Sequence, residues 1–148
     1  MAATNDIRLL RNVNTLAGTC YFEVLPGPYK QRCWNSGSVF FDEEVFGYLE
    51  PIIAAHCPGF DHYGFAEIPK AHWLSAVADL ERLMDELAVA ESVTTLRGRV
   101  GFTFEGSEER FAGDFERSRT ALQQVITEFV GWLRWVLEEH DTVSVLGL

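Results

Sequence analysis

Residues 122–137 read Leu-Gln-Gln-Val-Ile-Thr-Glu-Phe-Val-Gly-Trp-Leu-Arg-Trp-Val-Leu, and their spacing predicts the longest helix of the chain. Leu122, Val125, Ile126, Phe129, Leu133, Val136 and Leu137 recur every three or four residues, which is the period of one helix face. Phe111 and Phe115 extend the stripe backward and His140 forward, so the helix is expected over about 109–140. At about 1.5 Å per residue it crosses a whole domain. Residues 125–137 are too short for a membrane span and carry Glu128 and Arg134.

Two further helices are expected upstream. Over about 69–90, Trp73, Val77, Leu80, Met84 and Leu87 line one face, with Asp79, Arg82, Asp85 and Glu86 opposite. Over about 43–57, Val45, Leu49, Ile52 and His56 form an apolar face behind Asp42, a good N-cap. Pro51 lies inside this pattern and should kink or split the helix near Leu49. Short strands are expected among 20–25, 39–41, 63–68, 99–104 and 142–147. In the fourth of these Val100, Phe102 and Phe104 alternate. The expected fold is α+β: one helix-dominated domain over 1–148, with three main helices on a small sheet. It becomes mostly α if the short strands do not form. Residues 1–19 read as a short helix near 7–13 or a loose arm.

The chain carries 22 acidic and 12 basic residues, a net charge of −10. That balance argues against nucleic acid as a direct partner and for a basic protein partner or simple solubility. Residues 1–41 are slightly basic; residues 42–148 hold all the acidic surplus, much of it in helix-borne pairs read as solvated. Cys20, Cys33 and Cys57 are three widely spaced cysteines without a CxxC, read as free thiols in a reducing cytoplasm. Neither a secretory leader nor a membrane anchor is legible, which points to a cytoplasmic location.

His56, Asp61, His62 and His72 are legitimate metal-ligand types, and a small hydrolase or metal enzyme built on them is one reading. Their spacing fits no standard zinc pattern, and His56 falls on an apolar helix face, where it serves as a core or capping histidine. Cys57 with His62 or His72 is a conceivable nucleophilic pair, but a helix C-terminus raises a thiol pKa. No phosphate loop or serine elbow occurs. No catalytic residue, metal ligand or cofactor is therefore assigned, and the protein is not expected to be an enzyme.

Trp135 stands far off the apolar face of the last helix and Trp132 on its margin, among Glu128, Arg134, Glu138 and Glu139. An exposed tryptophan with acidic neighbours suits docking of a basic protein. The alternatives are that the N-terminal arm or a strand covers it, or that the two tryptophans join a homodimeric adaptor. Asp61 and Tyr63, in a loop holding three aromatics and two glycines, are a second contact candidate.

Three stretches carry a family likeness. Phe40-Phe41-Asp42-Glu43-Glu44-Val45-Phe46, Pro58-Gly59-Phe60-Asp61-His62-Tyr63-Gly64-Phe65 and His140-Asp141-Thr142-Val143-Ser144-Val145-Leu146-Gly147-Leu148 resemble small bacterial immunity proteins. These belong to polymorphic toxin systems, including contact-dependent growth inhibition, and the likeness runs over about 38–148. It implies a cytoplasmic inhibitor that binds the C-terminal toxin domain of one effector, often a basic nuclease. Such families share no catalytic residues, so no site residue is carried over.

Overall fold

The computed structural model describes residues 6–18 and 20–148. Strands β1 (Tyr21–Pro26) and β2 (Val39–Asp42) come first, followed by helix α1 (Glu43–His56). Strand β3 (Phe65–Pro69) leads directly into α2 (Lys70–Val89). Helices α3 (Ser107–Gly113) and α4 (Phe115–Glu139) precede strand β4 (Thr142–Leu146). The strands form one antiparallel sheet in the order β2-β1-β4-β3. The protein is a single α+β domain, with its helices packed on a small four-stranded sheet.

Strand alternation divides the sheet into two chemically different faces. Phe22, Val24, Val39, Phe41, Ile68, Val143 and Val145 point into the main core, where they meet the apolar sides of the helices. Helix α2 packs between α1 and α4, and the Trp73 indole N–H donates to the Val143 carbonyl at 3.0 Å. On the other face Glu23, Leu25, Phe40, Ser144 and Leu146 are also buried. The chain between β1 and β2 folds back over them. Trp34 lies against Tyr21 and Phe40, and Ser144 Oγ donates to the Gly27 carbonyl at 2.8 Å.

Glu23 fastens that covering loop. Its carboxylate accepts from the Trp34 and Asn35 backbone N–H groups at 2.6 and 3.0 Å. Asn35 Nδ2 donates at 2.9 Å and Ser38 Oγ at 2.6 Å. Gln31 and Trp34 hold φ of 65° and 64°, a region that costs energy for residues with a Cβ. Satisfaction of a buried carboxylate by four donors offsets that cost.

Helix ends follow local chemistry. Asp42 caps α1 by accepting from the Val45 N–H at 2.9 Å. The long helix expected over 109–140 is two helices. Gly113 weakens the helical run and Asp114 restarts it, its side chain accepting from the Arg117 N–H at 3.3 Å. Its buried side is also wider than one stripe, because Val130 and Trp132 are core residues.

Helix α1 runs through Pro51 as one helix, so the expected split does not occur. Residues 99–104, expected as a strand, are not one. Among the described residues the only bridge formed there joins Arg97 to Val100. The segment instead lies against α1 beside Pro51. The Gly101 N–H donates to the Tyr48 carbonyl at 3.1 Å. A Cβ on Gly101 would run into the Gly47 carbonyl oxygen and come within 2.9 Å of the Pro51 ring. A Cβ on Gly47 would overlap Thr103. The two glycines let one backbone touch the other. Near the N-terminus no helix forms at 7–13; Leu10 pairs with Phe40 through backbone bonds of 2.9 and 2.7 Å. Residues 1–5 of the expected arm lie outside the described residues.

Gly101→Ala is expected to lower unfolding free energy by about 2 kcal/mol, the scale of overpacking against backbone. Gly131→Ala on α4, where an added Cβ meets nothing within 4 Å, should raise it by about 0.5–1 kcal/mol. Urea titrations of both variants check the pair, and an unchanged midpoint for Gly101→Ala would contradict the contact.

Candidate functional site

Trp135 is 68 % exposed on the outer side of α4. Helical spacing sets Gly131 one turn before it and Glu138 and Glu139 one turn after, with Glu128 two turns before. Gly131 has open space where a side chain would stand, so one flank of the indole is clear. Glu138 and Glu139 are exposed, and Glu128 is partly exposed and accepts from Gln124 Nε2 at 2.6 Å. Arg134 is turned away to Glu81 of α2 at 2.9 Å. The patch is one large apolar ring in an acidic border.

Trp132, the other tryptophan of the expected patch, is 5 % exposed and stacks on Phe129 at 6.2 Å. It belongs to the core and offers no ring to a partner, which removes it from the site and from a two-tryptophan dimer seam. The arc of α4 that is buried is wider than its apolar stripe and takes in Val130 and Trp132. Tyr63 is 74 % exposed in the turn before β3. Asp61 shapes that turn by accepting from the Tyr63 N–H at 2.9 Å. This turn adjoins the end of β4, where Gly147 and Leu148 donate to Gly64 and His62, whereas Trp135 precedes the start of β4. Tyr63 and Trp135 therefore form separate patches.

The histidines go to different partners. His56, the last residue of α1, bonds Asp79 at 2.8 Å. His62 sits between two carboxylates of α1, with Nδ1 2.8 Å from Glu50 and Nε2 2.8 Å from Glu43. His72 lies in the first turn of α2 and Asp61 in the turn just described. Among the described residues no three His, Cys, Asp or Glu side chains form a group placed to hold a metal ion. Cys57 is buried, and burial alone pushes its thiol up to about 12, away from the thiolate a nucleophile needs.

Several acids read as solvated are committed internally. Asp79, expected on the exposed side of α2, is buried beneath Arg99 at 2.7 Å and Arg82 at 3.3 Å. Desolvation works to raise its pKa, but the Arg99 and His56 hydrogen bonds outweigh it and hold the carboxyl below its usual range. Glu44 is buried and bonds Ser107 and Arg110. Glu108 pairs with Arg97 at 2.7 Å. No sequence spacing joins Glu44 to residue 110 or Asp79 to residue 99, so these partners were not legible.

His62 has a distinct pH signature. Both ring nitrogens face carboxylates, and both can donate only when the ring is cationic. Desolvation pulls its pKa down, yet the bonds to Glu43 and Glu50 prevail and raise it above the ordinary 6.5. A raised folded pKa gives stability that is full below pH 6.5 and lost as pH climbs through the folded value. Wild type should therefore lose more stability than His62→Gln between pH 6 and pH 9 in urea titrations. Equal losses would show that the ring is not held as a cation.

No family model matches the chain, and no curated protein or solved structure is similar to it.

Proposed function

We propose that the protein is a stoichiometric inhibitor, an immunity protein that docks a basic toxin domain on the α4 face around Trp135. The observation that carries this reading is the open indole inside an acidic border. Tryptophan is among the side chains that most often dominate an interface, because a large rigid ring leaves water at little entropic cost. Glu128, Glu138 and Glu139 would steer a cationic partner and penalise an anionic one.

The distribution of charge supports the same reading. Of the eight basic residues in 42–148, Arg82, Arg97, Arg99, Arg110, Arg119 and Arg134 are all tied to this chain's own acids. The surface left to a partner is correspondingly acidic. A nuclease presents a cationic cleft for phosphates, the complement of such a surface. The reading places the protein in the cytoplasm, where an effector domain delivered by a neighbouring cell would be met. The likeness of residues 38–148 to immunity proteins supplies the partner class.

Co-expression with the toxin domain encoded upstream should restore growth, and the two proteins should co-purify one to one. Trp135→Ala should weaken the complex about 30-fold or more, as loss of a hot-spot residue does. Its own unfolding free energy should stay within about 0.5 kcal/mol of wild type, because the ring is exposed. Glu138→Lys with Glu139→Lys should slow association and flatten its salt dependence. Absence of a complex, or wild-type affinity in Trp135→Ala, rejects the proposal.

A further inference from the structure

We propose that the cleft between the segment before β1 and the α3–α4 junction binds a small organic monocarboxylate with an apolar body. The cleft encloses about 580 Å³, within the usual range of small-molecule sites. Ile7, Phe111 and Ala121 supply apolar wall. The inference is independent of the Trp135 face, which lies elsewhere on α4.

Tyr48 marks the polar floor. The residue is only 2 % exposed, with its ring edge-on to Phe102 and Phe111. Its hydroxyl bonds no described residue, yet no fully buried side-chain oxygen or nitrogen lacks a partner. The hydroxyl therefore keeps some access, and Tyr48 lines the cleft. A polar group so nearly enclosed ordinarily has a partner. Desolvation and the nearby Glu44 raise its pKa, so it stays an O–H and donates.

Charge decides the ligand. Arg8, Arg110 and Arg117 line the cleft together with Asp6, Glu44 and Asp114. Arg110 is spent on Glu44, but among the described residues Arg117 makes no close ion pair, and Arg8 makes none although its charge acts on Asp42 from farther off. The first turn of α4 also opens here, through Asp114, Arg117 and Ser118, and adds the positive end of a 25-residue helix. The six charged side chains cancel, so net charge selects no ligand; the donors left over, the Arg8 and Arg117 guanidinium groups and the Tyr48 hydroxyl, suit one carboxylate, and a second negative charge meets three carboxylates. Apolar wall on one side and a single deep donor on the other fit a carboxylate on a hydrocarbon or aromatic body better than phosphate.

Sodium phenylacetate is a suitable probe, with phenylacetamide and inorganic phosphate as comparisons. Titrated into the full chain and followed by heteronuclear NMR, phenylacetate should give saturable shifts centred on Tyr48, Phe111 and Ser118. Phenylacetamide and phosphate should bind at least tenfold more weakly. Tyr48→Phe, which removes one oxygen, should weaken phenylacetate about fivefold, the typical effect of a lost hydrogen bond. Arg8→Gln with Arg117→Gln alters only exposed side chains and should weaken it at least tenfold. Trp135→Ala should bind phenylacetate as wild type does, which separates this site from the proposed docking face. No saturable phenylacetate binding, equal binding of phenylacetamide or phosphate, or unaltered affinity in the arginine double variant overturns the proposal.

Discussion

A carboxylate buried in the middle of a strand dictates how this molecule is layered. Glu23 lies on β1, an interior strand bonded to β2 on one side and β4 on the other. Its side chain points away from the helices, onto a face that would otherwise be wet. Four donors gather on it, all from residues 34–38. An unpaired carboxylate in that position is costly, and so is a loop with two side-chain-bearing residues at positive φ. Each resolves the other. The result is a sheet covered on both faces in a chain with helices enough for only one.

How much of this was readable follows from the range of the forces involved. Helices α1 and α2 and the four strands obey local signals: periodicity, β-branched and aromatic runs, proline, and an aspartate cap. Their bounds agree with the sequence to within two residues. The errors arise where a distant segment decides. Residues 99–104 alternate as a strand does, yet Val100 and Phe102 pack beside a helix whose proline and glycine admit another backbone. Trp132 is buried although it stands on the margin of the stripe that its helix shows. The break at Gly113-Asp114 was local and legible in principle, since glycine before a capping aspartate is an ordinary helix boundary.

The same division holds for the sites. Exposure of Trp135 followed from the helical wheel, because α4 has one side too polar to bury. The cleft beside Tyr48 did not, for it joins residues 7, 48, 117 and 121 from elements with no shared periodicity. Charge behaves likewise. The sequence shows an acidic surplus but not that six arginines pair with acids within the fold, while Arg8 and Arg117, at the rim of one cleft, make no close ion pair among the described residues.

Strand order carries a consequence for synthesis. β4 is the last of the elements in chain order, yet it sits between β1 and β3 and, among the described residues, is the only strand joining them. Until residues 142–146 have emerged, the β1–β2 pair and β3 are two fragments with no shared ladder. The Trp73 indole also lacks its acceptor on β4 until then. A chain made only as far as residue 141 therefore carries apolar helix faces and unpaired strand edges, the state in which chains stick to one another.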